Sequence, residues 1–302
     1  MKKWLLVILA SVLALSLLSA CSSPDAPADG ASATVTLDGE TITLSDASAG
    51  KVEGKTLTIT KGGTYTVSGT LTDGRIVVEV SKEINVTLVL SGASLSCSDS
   101  APIFVRSAKN CYIELADGTS NTVSDGAEYV YENALETEPS AAIFAKCDLI
   151  IRGSGALTVN GNYNNGIASK DDLEVKSGNL TITAKNNGLK GKDSVVIKQG
   201  EIKVDSVGDA IKADQDNDPA KGYVMIEGGN LTLKAGDEGL QAKTSVTVNG
   251  GSITIEAESN GIKADIDVKL NAGNVTVTCG SDGVDCPSIS GSLTVNGEKV
   301  SY

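Results

Sequence analysis

Asn260 to Gly280 reads NGIKADIDVKLNAGNVTVTCG, and three short alternating runs are packed into it. Ile262 and Ala264 flank Lys263, Val268 and Leu270 alternate with Asp267 and Lys269, and Val275 and Val277 alternate with Thr276 and Thr278. Alternation at period two is the pattern of a strand with one buried face. The Gly and Asn residues between the runs are turn formers. Three such strands cannot bury their apolar faces alone, so they need a like unit above and below.

Those like units are present. The opening phrase recurs as NGIAS from Asn165, NGLKG from Asn187, DAIKA from Asp209, EGLQA from Glu238, NGIKA from Asn260 and DGVDC from Asp282, at spacings of 22, 22, 29, 22 and 22. A second phrase, GNLTI from Gly178, returns at Gly200, Gly229, Gly251 and Gly273 with the same single jump of seven. One insertion, near Asp214 to Lys221, therefore interrupts a regular array. The runs are β-branched and show no 3.6-residue period, which excludes a solenoid of helices. The expected fold is all-β: a single-stranded parallel β-helix with three short strands per 22-residue coil.

Earlier coils are less regular. APIFV from Ala101 and AAIFA from Ala141 match the first phrase and place Phe104 over Phe144. By the same alignment Cys111 and Cys147 take equivalent positions, as a bridge or as two stacked buried thiols, the latter favoured because stacked coils need no staple. Between these coils Asp125 to Ser140 (DGAEYVYENALETEPS) is a polar insertion carrying Tyr129 and Tyr131, and insertions in repeat folds lie outside, often on the binding face. Asn85, Asn179, Asn230 and Asn274 each begin an N-x-T sequence, but three of them sit in the repeated GN(L/V)T phrase and read as turn residues.

The start of the chain reads as an address. Lys2 and Lys3 precede an apolar run from Leu5 to Leu18, which ends in Leu18-Ser19-Ala20-Cys21. Residues 1–20 are expected to be a bacterial lipoprotein signal peptide, with Cys21 lipidated after cleavage. Two acyl chains hold a protein at a membrane where one does not. Residues 21–33 then form a flexible tether and 34–302 the folded domain, outside the cytoplasm and anchored at the cell surface.

Composition narrows the chemistry. The net charge of −13 opposes nucleic-acid binding, which needs a basic footprint, and favours cations or substrates approached through them. The absence of His excludes His-based triads and His-ligated zinc. The single Trp, Trp4, lies in the signal segment. After Cys21 an odd number of cysteines remains, so at least one thiol is unpaired.

The candidate site lies where the array is interrupted. The first phrase builds a ladder of Asn165, Asn187, Asp209, Glu238, Asn260 and Asp282. For its Asn members the ordinary explanation is an Asx-turn, in which the side chain bonds its own backbone. Asp209 and Glu238 should sit about 5 Å apart on adjacent coils, with Asp237 beside them. The insertion adds Asp214, Asp216 and Asp218. Carboxylates gathered in this way repel one another unless a hard divalent ion joins them, and Ca²⁺, with six to eight oxygen ligands, fits better than Mg²⁺. A solvated acidic loop is the alternative. The segment is not an EF-hand, because Met225 stands where that loop needs an acid. One strand position outward lies a row of Lys190, Lys212, Gln241 and Lys263, suited to an acidic sugar or serving as plain surface charge.

Several stretches carry a family resemblance: GTYTVSGTLTDGRIVVEV from Gly63, VTLVLSGASL from Val86, IELADGTSNTVSDG from Ile113, LTVNGNYNNGIASKDDLEV from Leu157 and DAIKADQDNDPAKGYVMIEGG from Asp209. Together they resemble the carbohydrate-binding β-helix family of secreted proteins related in shape to polysaccharide lyases. The resemblance runs from Val35 to Val284. It implies a right-handed, pectate-lyase-like helix, bound calcium, and binding of cellulose or acidic plant sugars. Carried over residue by residue, it supports Asp209, Asp237 and Glu238 as calcium ligands. Asp209-Ala210 departs from the family's usual Asp-Gly, and Glu238 stands where a second Asp is usual.

Three functions follow as expectations. The first is a surface lipoprotein that binds polysaccharide through calcium and lysine. The second is a calcium-dependent lyase with Lys212 or Lys263 as the base that takes the proton α to a uronate carboxylate. The third is an adhesive spike with no sugar ligand.

Overall fold

The structure is a computed structural model that describes residues 30–302 apart from 132 and 134. The signal segment, Cys21 and most of the tether lie outside the described residues. The first strand, Ala31–Gly39, begins three residues ahead of Thr34, and Ala33 is already buried in the core.

Among the described residues there is no helix, and the strands fall into two long sheets. In the regular region each strand pairs in parallel with the strand three further along. Asn165–Ser169 pairs with Leu189–Gly191, Asp172–Val175 with Ser194–Ile197, and Asn179–Ala184 with Glu201–Ser206. The register holds the spacing read in the sequence: Leu189 faces Ile211, which faces Leu240, which faces Ile262. Ala213 faces Ala242 and Ser194 faces Tyr223, so the seven extra residues are confined to the connection between Ala213 and Tyr223.

Parallel pairing stacks like on like. Ile143, Ile167, Leu189, Ile211, Leu240 and Ile262 form one fully buried file. Leu157, Leu180, Ile202, Leu231 and Ile253 form another. Each such side chain contributes roughly 1.5–3 kcal/mol on burial, and the files run the length of the molecule. Gly178, Gly200, Gly229, Gly251 and Gly273 all adopt positive φ, between 91° and 128°. Their recurrence reflects a corner conformation that a side chain strains. Asn179, Asn230 and Asn274 follow these glycines as the first residues of strands.

The ends of the stack pair differently. Ala31–Gly39 meets Thr41–Leu44, Gly50–Glu53 meets Thr56–Ile59, and Ser292–Val295 meets Glu298–Ser301, all antiparallel. Such hairpins occupy edges that would otherwise offer open backbone to another chain.

Phe104 does face Phe144, with ring centroids 5.9 Å apart. The cysteines behave otherwise. Cys111 faces Leu149, because the corner between Ile103–Ser107 and Asn110–Leu115 is two residues longer than its counterpart around Cys147. Cys111 and Cys147 are buried and unbridged, as is Cys97, and burial pushes the Cys97 thiol up to about 11.

Candidate functional site

The ladder at the corner of the eleven-stranded sheet is a continuous polar seam inside the fold. Asn165, Asn187, Asp209 and Glu238 are all at most 4 % exposed. Asn165 Oδ1 accepts from the backbone N–H of Asn187 at 3.2 Å, Asn187 Oδ1 from that of Asp209 at 3.2 Å, and Asp209 Oδ1 from that of Glu238 at 3.0 Å. Asn260 Oδ1 repeats the contact to Asp282. These side chains therefore bond the next coil, where Asx-turns were expected, and none has positive φ. The reason is geometric: in a stacked corner the amide one coil away points at the side chain and would otherwise be buried without a partner.

Glycine follows most ladder residues because the backbones crowd there. A Cβ on Gly188 would lie 2.8 Å from the Ala210 carbonyl oxygen, and one on Gly261 2.7 Å from that of Gly283. Ala210, wholly buried, is the exception the fold accommodates.

Two buried acids, Asp209 and Glu238, stand among the buried amides of this seam. One carboxylate oxygen each from Asp209, Asp237 and Glu238 lies within 4.8 Å of the others, with Asp209 and Glu238 buried and Asp237 exposed. Burial, followed by hydrogen bonding to Asp209 and Asp237 and by their charge, pushes the Glu238 carboxyl up to about 7. Lysines from the outward row partly neutralise the group. Lys212 Nζ donates to Asp209 Oδ2 at 2.7 Å, and Lys263 Nζ to Glu238 Oε1 at 3.3 Å. The hydrogen bond from Lys263 to Glu238, with the carboxylate's charge, raises the pKa of Lys263.

The insertion does not join this group. Asp214 pairs with Lys190 at 2.7 Å. Asp216 accepts from Asn217, and Asp218 from the backbone of Ala220, within their own loop. The expected six-carboxylate convergence is thus a triad, because the loop leaves the sheet on the far side of Lys212, two residues beyond it in the strand direction. The outward row stands as expected: Lys190, Lys212, Gln241 and Lys263 are in register on successive coils and partly exposed, while Leu189, Ile211, Leu240 and Ile262 between them are buried. Gln241 Oε1 is buried with no hydrogen-bond partner, an oxygen acceptor left over beside the acids. An all-oxygen donor set of three carboxylates with a spare amide oxygen in the neighbouring row fits a hard divalent cation.

The same outward row continues past the lysines to Ala168, Phe144 and Phe104. Two residues further along each strand runs a second row that the sequence reading passed over: Arg106, Lys146, Lys170 and Lys192. Backbone bonds from Lys146 to Val105, Lys170 to Ala145 and Lys192 to Ser169 keep it in step. The detectable signal was a basic residue three places after the centre of the repeated phrase, on four coils in succession.

The fold is shared with known proteins. The model of a family described as carbohydrate-binding domain-containing proteins matches residues 53–301. A carbohydrate-binding domain-containing protein of Acetivibrio thermocellus is 37% identical over 185 residues, which cover 59% of this chain and 65% of that protein. The chain thus spans somewhat less than two thirds of that relative. A solved structure described as a polysaccharide lyase-like protein from C. thermocellum, a gadolinium derivative, superposes with a TM-score of 0.73 at 35% identity, covering 88% of this chain and 97% of that one.

Proposed function

The chain belongs to the family of carbohydrate-binding domain-containing proteins, and from that premise we propose that it is a cell-surface lipoprotein which holds acidic polysaccharide on one flank of a right-handed parallel β-helix. The general preference of parallel crossovers for the right hand supports that part of the reading. The Leu18-Ser19-Ala20-Cys21 sequence supports the lipid anchor. One observation carries the binding reading: a triad of carboxylates, two of them buried, adjoins a row that offers a lysine or glutamine on each coil.

Asp209, Asp237 and Glu238 would hold calcium, whose positive charge would offset theirs and attract a sugar carboxylate to the same corner. Lys190, Lys212 and Lys263 would pair with carboxylates further along the polymer, and Gln241 would offer a hydrogen bond between them. Strand spacing sets these groups about 4.8 Å apart, a short step that suits an extended chain lying along the stack.

A pectate-type lyase is the second reading, favoured by the likeness to a polysaccharide lyase-like structure. Against it, a lyase base needs a lysine whose nitrogen is free to take a proton, whereas Lys212 and Lys263 each donate to a buried carboxylate. Binding of polygalacturonate, with and without calcium, tests both readings. Retention in calcium, reduced in chelator and by Asp209→Asn, is expected, with no ultraviolet-absorbing unsaturated product. Failure to retain any acidic polymer in calcium overturns the binding reading. Release of unsaturated product that Lys212→Ala or Lys263→Ala abolishes would establish the lyase.

A further inference from the structure

Two clefts open on the outside of the eleven-stranded sheet, and the insertion after Asp125 separates them. The larger, about 500 Å³, is lined by Arg75, Arg106, Phe104 and Lys146 from the sheet. The other, about 370 Å³, is lined by Lys170, Lys190, Lys192 and Phe144. Thr137 and Glu138 of the insertion line both and form the wall between them. Besides Glu138, the clefts carry one further acid each, Glu136 in the first and Asp214, paired with Lys190 at 2.7 Å, in the second, so three cations face two acids in each, and Arg75 and Lys192 make no salt bridge among the described residues.

Glu138 sits at the centre. Its Oε2 lies 3.0 Å from Lys146 Nζ and its Oε1 2.6 Å from Lys170 Nζ, so one carboxylate spans two lysines on adjacent coils. Burial would raise this carboxyl, but the hydrogen bonds from Lys170 and Lys146 outweigh it and hold Glu138 below its ordinary value. The insertion is anchored elsewhere by aromatic contacts. Tyr129 stacks on Tyr163 at 4.1 Å and donates to the Ala141 carbonyl at 3.0 Å, and the Tyr131 hydroxyl lies 3.4 Å from that of Tyr163. These contacts keep the loop attached whether or not Glu138 is seated.

We propose that Lys146 and Lys170 form a carboxylate-binding subsite, that Glu138 fills it in the free protein, and that a polyuronate bound along this flank displaces Glu138 and joins the two clefts into one groove. The subsite rests on the reading of the protein as an acidic-polysaccharide binder and extends it by three coils beyond the triad. It differs from the triad in needing no metal: Lys146 and Lys170 pair with carboxylate directly. Glu138 shows the fit, since it is a carboxylate already held by both. Ion pairs as exposed as these are weak, so an incoming polyanion that contacts several cations at once replaces them readily, and release of its counterions adds to the drive. Phe104 lies beneath, with Arg106 5.4 Å and Lys146 5.9 Å from its ring, which helps hold both cations upright on the sheet.

The test measures binding of the full-length chain to polygalacturonate, and to a neutral glucan as control, in chelator and in calcium. Glu138→Gln keeps the shape of the loop and removes the competing charge. It should tighten polygalacturonate binding by about fivefold in chelator, leaving the glucan unaffected. Lys146→Ala with Lys170→Ala should weaken binding by about tenfold and lower its salt sensitivity, and circular dichroism should show the sheet unchanged. If wild-type protein binds polygalacturonate but Glu138→Gln binds no tighter and the double lysine variant no weaker, the subsite is overturned and the triad reading stands. If wild-type and Glu138→Gln proteins both fail to bind with or without calcium, both readings fall together.

Discussion

At the same outward position of the same sheet, the coils from Asn187 to Ala264 carry Lys190, Lys212, Gln241 and Lys263, whereas the coils from Ala101 to Ser169 carry Phe104, Phe144 and Ala168. The first group reaches solvent, and its lysines pair with acids, Lys212 and Lys263 with those of the corner and Lys190 with Asp214 of the insertion. The second forms a small apolar cluster with Ala101 and Ala141, and Tyr129 of the insertion packs onto it. Identical backbone geometry thus supports an open cationic face in one region and a covered aromatic face in the other. A stacked fold makes this possible because each outward side chain meets mainly its neighbours one coil up and down, so character can change gradually along one flank.

The largest expected effect distinguishes how the two regions treat charge. Lys212→Ala leaves the buried Asp209 carboxylate without its ammonium partner and should cost about 3 kcal/mol in chelator, read by chemical denaturation. Calcium should recover much of that loss, and Asp209→Asn combined with Lys212→Ala should be more stable than Lys212→Ala alone. Equal stability of the single and double variants would remove the triad's electrostatic role.

Phe144→Ala tests the covered region. The ring is 2 % exposed beneath the insertion, and its removal should cost about 2–3 kcal/mol, less than for a phenylalanine inside the stack because the loop can settle. Hydrogen exchange should then quicken across residues 126–140 while the coils from Asn187 onward keep their protection. A uniform loss of protection would show the two regions to be one cooperative unit.

The smallest effect is acid release of the insertion. Glu138 titrates below its ordinary value of 4.5 when folded. The stabilisation it supplies is therefore complete above that value and is lost as pH falls through the lower, folded pKa. Both lysines are more than a third exposed, so the change should stay under about 1 kcal/mol. Faster exchange at residues 136–140 in acid, absent in Glu138→Gln, is the expected signature.

Much of the stacking was readable because parallel pairing in register repeats the same residue type at a fixed interval. Spacings of 22 and 29 between Asn165, Asn187, Asp209, Glu238 and Asn260 translate directly into the observed partners. The convergence of Asp209, Asp237 and Glu238 followed from the same arithmetic. Arithmetic gave out where units lengthen. The two extra residues before Cys111 displaced it from Cys147, and the direction in which the Asp214 loop leaves its strand sent those acids to Lys190 and to their own backbone.

The sequence by itself determined the all-β character of the chain, the period of its stacking, the site of the seven-residue interruption and the side chains that face outward. Alternation and repetition are local properties, and backbone pairing enforces them. Only the tertiary structure decided that Glu138 bridges Lys146 and Lys170, and that the buried Asn and Asp side chains bond the amide of the next coil. Both depend on where a loop closes or which way an amide points across coils, and neither quantity has a period to read.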